Sequence, residues 1–384
     1  MTRLTSRTRL AVALLTASAL CLSGEVTAGK PGGGGTTTLP PVRYQLHFVS
    51  APSGGSAMVM YDMNNAGEMV GSFVDAAGVK RAFLARPLAA AQAIDLSTTV
   101  TAPAGWTIAC ATSINDSGLI VGYLEPQGSP NDPNSRAAFV IDPDVTPLTA
   151  TRLPSAMAYT VAVSVNEQGD ILSAYRKSNG TWGVTLYNPL VDLTPTELPF
   201  DCYAPNFLVL NNSTSTRDVQ VAGLLADQSA FRWTRGGPLE VILPAPASGP
   251  GSAVYGINNT GTVCGYTYIK VSRTRTEQRP MRYAAALEIL PAGYYSAGAI
   301  NGAGDVTLGT AIYRDDWGAL NIDQLIDRTD PDSALWFSTS RKFYAVTKIT
   351  ERLSGTNFAA CGAGVDYGDG TGTRYCLLTP VAAP

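Results

Sequence analysis

One short pattern recurs along this chain and limits what it can fold into. It runs apolar residue, Asn, two variable residues, Gly, a variable residue, two mostly apolar residues, then a small one. Clear copies stand at Met63–Gly71, Ile114–Gly122, Val165–Ser173, Ile257–Gly265 and Ile300–Val306. Weaker copies around Asn211 and Thr350 fill the gaps, so the anchors fall at 64, 115, 166, 211, 258, 301 and 350. A repeat of this kind is one supersecondary unit that must stack on its neighbours to bury its apolar face. Seven such units account for nearly all of the chain after its first forty or so residues.

Each unit has the same internal order. Asn followed by Gly three residues later makes a tight turn, because Asn bonds its own backbone and Gly supplies positive φ. The turn pairs are Asn64 and Gly67, Asn115 and Gly118, Asn166 and Gly169, Asn258 and Gly261, and Asn301 and Gly304. One strand precedes the turn and a second follows it. Third strands read at Arg81–Leu84, Ala137–Val140, Gly183–Leu186, Ala230–Trp233 and Met281–Tyr283, and short fourth strands at Ala93–Leu96, Thr196–Leu198, Glu240–Leu243 and Glu288–Leu290. Four short strands per unit, without helical periodicity, predict an all-β, seven-bladed β-propeller. The last unit supplies only three strands. The alternating segment Arg43–Val49 is therefore expected to close the ring as its outer fourth strand, which also removes an open sheet edge. The single His of the chain, His47, falls on that strand.

Residues 1–28 read as a secretory signal peptide: Arg3, Arg7 and Arg9 precede an apolar run from Leu10 to Leu22, and Val26-Thr27-Ala28 offers a cleavage site. Residues 29–41 form a Gly/Thr/Pro-rich linker, and 42–384 the repeat domain. The expected location is secreted, extracellular or periplasmic, with no integral membrane segment after cleavage. Of 384 residues only 15% are charged, with 27 Lys+Arg against 30 Asp+Glu. A net charge of −3 gives no general footprint for nucleic acid. Export permits disulfides, and Cys361 and Cys376, which flank a Gly/Asp-rich turn, are the expected cross-strand pair.

The Asn-x-x-Gly-x-Val-Val-Gly turns, each followed by an Ala-Phe strand and an acidic-Leu ending, resemble the HAF family of probable extracellular repeats. The resemblance spans most of residues 56–378. It implies a secreted bacterial repeat protein and brings no catalytic residues. The fourth and seventh units depart from the pattern, and Arg81, Ala137 and Ser229 stand where the family has His before the Ala-Phe strand.

In a propeller, the loops between second and third strands share one face with the blade-to-blade loops. Two long connections are expected there, 125–136 and 270–280. The second carries Arg273, Arg275 and Arg279 on an otherwise acidic chain. Blade-to-blade loops add Trp106, Tyr159, Tyr203, Tyr255, Tyr294 and Tyr295. Aromatic faces beside guanidinium groups suit a sugar or a peptide. The candidate ligand-binding set is Trp106, Tyr294, Tyr295, Arg273, Arg275 and Arg279, and the expected partner is an extracellular glycan or protein. The same residues could instead solvate a hairpin and pack between blades. Asp315-Asp316, Asp330 with Asp332, and Asp366 with Asp369 are carboxylate pairs that a polysaccharide hydrolase or lyase could use. No nucleotide, phosphate-loop, nucleophile-elbow or zinc motif occurs, and no cofactor or metal is expected. The function expected is non-enzymatic binding; a propeller hydrolase or lyase and a structural surface component are the alternatives.

Overall fold

The structure is a computed structural model. It describes residues 40–384 apart from 130–131, 133, 156, 158, 189–191, 214, 216–217, 247–250, 332, 334–335, 337–341, 367–372 and 383–384. The signal-peptide reading and most of the linker therefore lie outside the described residues.

Seven antiparallel sheets form the blades of a seven-bladed β-propeller. Blade one comprises Ser56–Met63, Met69–Val74, Lys80–Arg86 and Ala90–Asp95, paired in that order. Blades two to five repeat this plan with inner strands Trp106–Ile114, Thr160–Val165, Val209–Leu210 and Ala253–Ile257. Blade six is a sheet of Val306–Leu308, Ala311–Arg314 and Gly318–Asn321, with an isolated Ile300–Val306 bridge on its inner side. In blade seven, Lys342–Leu353, Phe358–Asp366 and Thr373–Ala382 are completed by Val42–Val49, whose Leu46 lies opposite Leu378. Each blade buries alternate side chains against the next, as sheet-on-sheet packing requires. Tyr44 and Leu46 of the closing strand are fully buried among Ile312, Phe343, Cys361 and Leu378.

The Asn turns explain how the blades are joined. Asn115 Oδ1 accepts from Leu119 N at 2.9 Å, closing its own turn. Its Nδ2 donates to the carbonyl of Asn166, in the next blade, at 3.0 Å. Asn64 donates likewise to Asn115, Asn258 to Asn301, and Asn301 to Thr350, at 3.0 to 3.1 Å. The glycines three residues on, Gly67, Gly118, Gly169, Gly261 and Gly304, all have φ between 74° and 85°, which an L side chain rarely adopts.

A second regularity lies three residues before each anchor. Pairing of first and second strands skips Tyr61, Thr112, Val163, Tyr255 and Thr347, one β-bulge at the same place in five blades. The small residue that ends the motif makes room beside this bulge. A Cβ on Gly71, Gly122 or Gly265 would stand 1.9 Å from the carbonyl oxygen of Val59, Cys110 or Ala253. Ser173 holds this place in blade three, and its hydroxyl donates to the corresponding Val161 carbonyl at 2.9 Å.

Two expectations need correction. The unit-five connection over 270–280 is mostly paired strand: Val263–Lys270 and Thr276–Tyr283 form a long hairpin, leaving only 271–275 as its tip. The Cys361–Cys376 bridge is not formed. Cys361 lies opposite Leu378 and Cys376 opposite Ala363, an offset of two residues, and both are buried thiols. The turn they flank lies largely outside the described residues.

Candidate functional site

Because every inner strand runs towards its Asn turn, the turns ring one mouth of the axial channel. The blade-to-blade and second-to-third-strand connections ring the other. A cavity of about 510 Å³ occupies this channel, within the range of small-molecule sites.

The bulge decides which side chains line it. Tyr61, Thr112, Val163 and Tyr255 are bulged residues on the cavity wall. The successors of all five bulged residues, Asp62, Ser113, Ser164, Gly256 and Lys348, line it as well. The wall is mixed. Lys348, Asp62, Thr112, Ser113, Ser164 and Asn206 supply polar groups between apolar residues such as Ile114, Val163, Leu208 and Ile257. Towards the loop face the wall is aromatic, with Tyr123, Tyr159 and Trp182 beside Tyr61 and Tyr255. Tyr159 and Trp182 meet edge to face at 5.2 Å between ring centroids.

Polar groups on the wall are firmly placed. Lys348 Nζ lies 3.1 Å from Asp62 Oδ1, while Asp62 Oδ2 accepts from Ser113 Oγ at 2.6 Å and Ile114 N at 3.2 Å. Asp62 is thus committed within the protein, and Lys348 keeps further N–H donors for a ligand. Behind Tyr123, the buried Arg136 pairs with Glu125 at 3.0 Å and lies 4.2 Å from the Tyr123 ring centre. Arg136 NH1 also donates to Tyr159 Oη at 3.1 Å, so two wall rings are fixed by one guanidinium. Burial raises the Tyr61 and Tyr123 phenol pKa values above the ordinary range, keeping both neutral.

At the turn mouth, the residues following the anchors form a collar. Asn65 N and Nδ2 both donate to the Asp116 carboxylate at 2.7 Å, and Asp116 N donates to Glu167 at 2.9 Å. Glu167 N donates to Asn212 Oδ1, Gly302 N to Glu351, and Glu351 N back to Asn65 Oδ1. These carboxylates serve as acceptors for backbone amides of the preceding blade. Burial, opposed by the Asp116 N–H and reinforced by the Asp116 charge, raises the Glu167 pKa.

The sequence-derived set divides. Arg275 and Arg279 both pair with Glu277 at 2.6 Å, and Arg273 stands exposed at the hairpin tip. Tyr295 is exposed beside this hairpin, its carbonyl accepting from Gln278 Nε2 at 3.0 Å. Tyr294 packs half-buried against Leu290, Ala297 and Leu308. Trp106 is three blades away, half-buried, with the Arg152 guanidinium 4.6 Å from its ring centre. It shares the loop face with the other five residues without bordering the same site. Among the loop-face aromatics, Tyr159 and Tyr255 line the cavity.

The carboxylate pairs are occupied structurally. Asp315 pairs with Arg282 and Asp316 with Arg314, each at 2.8 Å. Asp330 accepts from Ser333 N and Oγ at 3.0 Å, and Asp332 and Asp369 lie outside the described residues. His47 Nε2 lies 2.9 Å from Thr379 Oγ1 on the outermost strands. Among the described residues no group of three or more His, Cys, Asp or Glu is placed to hold a metal ion.

No family model matches this sequence, and no curated protein matches it. Solved propellers resemble its structure. The β-propeller domain of the Trilobed protease from Pyrococcus furiosus has a TM-score of 0.50 and 10% identity, over 85% of this chain and 98% of that one. The Aleuria aurantia fungal lectin, a six-bladed propeller that recognises fucose, has a TM-score of 0.36 and 12% identity, over 88% and 99%. At such identities the likeness to the Pyrococcus domain shows the propeller fold alone.

Proposed function

We propose that this chain is an exported HAF-type repeat propeller that acts as a non-enzymatic binding module, seating a glycan in its axial cavity from the loop face. One observation carries the reading. The repeated bulge turns its residues in four blades, and Lys348 beside it in a fifth, onto a cavity wall where neutral aromatic rings face fixed hydrogen-bonding groups. Tyr61, Tyr255 and Trp182 offer stacking surfaces for sugar C–H faces, and Lys348, Thr112 and Asn206 offer directional polar contacts. The collar carboxylates are held by amides at the opposite mouth, which favours a structural use for them over acid–base chemistry.

A glycan-array screen of the protein with Tyr61→Ala and Lys348→Met variants tests this. Selective binding that falls at least tenfold in both variants supports the cavity. Binding that both variants retain in full would overturn it. Export is tested separately by sequencing the N-terminus of protein recovered outside the cytoplasm, where a start at Gly29 is expected.

A further inference from the structure

Beyond the cavity, five aromatic rings continue across the seam of blades four and five. Ring centroids step from Tyr203 to Phe207 at 6.0 Å, to Tyr255 at 6.1 Å, to Tyr266 at 5.8 Å and to Tyr268 at 5.8 Å. Tyr255 belongs both to this track and to the cavity wall. At the far end, Tyr268 Oη donates to Gln278 Oε1 at 3.0 Å, and Gln278 in turn holds the Tyr295 carbonyl. Tyr203 and Tyr295 are 46% and 62% exposed, so the track ends are open to solvent. On that hairpin Lys270 follows Tyr268 on the same face and Arg273 sits at the tip, whereas Arg275, Glu277 and Arg279 alternate onto the opposite face. Lys270 and Arg273 are both exposed.

A row of rings at this spacing, starting in a cavity and ending beside two exposed cations, Lys270 and Arg273, suits a chain of linked sugars that carries negative charge. Apolar sugar faces meet the rings, and carboxylates meet the Lys270 ammonium and the Arg273 guanidinium, which bind them with charged N–H donors. We infer that the loop face of blades four and five is an extended subsite for an anionic, uronate-type oligosaccharide, running from the axial cavity to the blade-five hairpin. This rests on the reading of the chain as a glycan-binding propeller and names the class of glycan it takes.

The test is titration of the full-length protein with a hexauronate, with the neutral hexasaccharide obtained by reducing its carboxyl groups, and with polyglutamate. Variants Lys270→Ala/Arg273→Ala and Tyr268→Ala change exposed or half-exposed positions, and circular dichroism checks that both fold. The expected result is hexauronate binding that weakens at least tenfold in each variant and on raising the salt, since the exposed charges are screened. The neutral hexasaccharide is expected to bind at least tenfold more weakly than hexauronate. Three results would overturn the inference: equal affinity for charged and neutral hexasaccharides, polyglutamate binding as tightly as hexauronate, or hexauronate binding unaffected by either variant. The cavity variants separate the two readings. If Tyr61→Ala and Lys348→Met leave hexauronate binding intact while the hairpin variants abolish it, the cavity reading fails and the track stands. The reverse pattern removes the track alone.

Discussion

At the residue scale, the repeated Asn performs two tasks with one amide, and a substitution should expose both. Asn115→Ala removes the Oδ1 acceptor for Leu119 N and the Nδ2 donor to the Asn166 carbonyl. Leaving buried backbone groups without partners costs ~1–3 kcal/mol, and a loss of that size is expected in urea unfolding. The motif Gly behaves differently. Gly122→Ala would press a Cβ into the Cys110 carbonyl, and overpacking of this kind costs ~1–3 kcal/mol. Gly128→Ala has open space around its Cβ and is expected to change stability by less than ~0.5 kcal/mol. Equal stability of the two glycine variants would remove the close-approach account of the motif. The turn-forming role of Asn and Gly was legible in the sequence because it depends on residues a few positions apart. The seam-crossing role of the same Asn was not, because its partner lies 51 residues away. The bulge was hidden for a related reason: it exists only in the pairing of two strands. Tyr61 and Lys348 thus gave no sign of facing a channel.

At the scale of elements, closure depends on a strand that belongs to no repeat. Val42–Val49 was readable as the missing fourth strand, since one unit lacked it and the segment alternates. Its ties to blade six were not. Tyr44 N donates to the Leu325 carbonyl at 2.7 Å, and Asp327 N donates to the Tyr44 carbonyl at 2.9 Å. The Asp327 carboxylate is held by Thr329 through side chain and backbone, with Arg43 adding attraction, and its pKa falls below the ordinary 3.8. A depressed carboxylate means that the unfolded chain takes up the proton first as pH falls. Its contribution is therefore present above pH 3.8 and is lost as the folded carboxylate protonates below that. Asp327→Asn should be less stable than the parent at about pH 6, with the gap narrowing as the pH falls below 3.8. A gap that stayed constant with pH would exclude the charge as its origin. The Cys361–Cys376 bridge failed as a sequence reading because proximity across a turn does not fix register. A two-residue offset, invisible from spacing, leaves each thiol opposite an apolar residue.

At the scale of the whole molecule, the ring is not uniform, and its weak arc should be measurable. Collar bonds join blades six, seven, one, two, three and four in succession, ending at Glu167 and Asn212. Among the described residues no collar bond continues from Asn212 to blade five or from Asn259 to blade six, where Gly302 offers no side chain; those seams are tied farther out, by Arg232 to the Gly261 carbonyl and by Arg282 to the Gly304 carbonyl and Asp315. The inner Asn ladder has two gaps nearby: Asn166 Nδ2 bonds Asp170 in its own blade, and at the seam to blade five Asn211 Nδ2 turns back to Asp218. At the same seam Gln220 Oε1 is buried without a hydrogen-bond partner, a group whose desolvation is uncompensated. The cause is in the fourth unit, where the connection between anchor and second strand is longer than elsewhere and displaces the motif Gly. The sequence displayed that departure as a degenerate repeat without showing that it interrupts a hydrogen-bonded ring. Local opening follows low local stability, so amide hydrogen exchange should find the first opening along the seams flanking blade five. Asn212 and Asn259 amides are expected to exchange at least tenfold faster than those of Asn65, Asp116, Gly302 and Glu351. The proposed sugar track crosses this same arc, from Phe207 in blade four to Tyr255 in blade five, so a bound oligosaccharide would bridge a joint that lacks collar bonds. Hexauronate should then slow exchange at Asn212 and Asn259 and leave Asn65 and Asp116 unchanged. Protection spread evenly around the ring would place the ligand on the axis alone, and uniform exchange in the free protein would show that the collar does not set the stability of the seams.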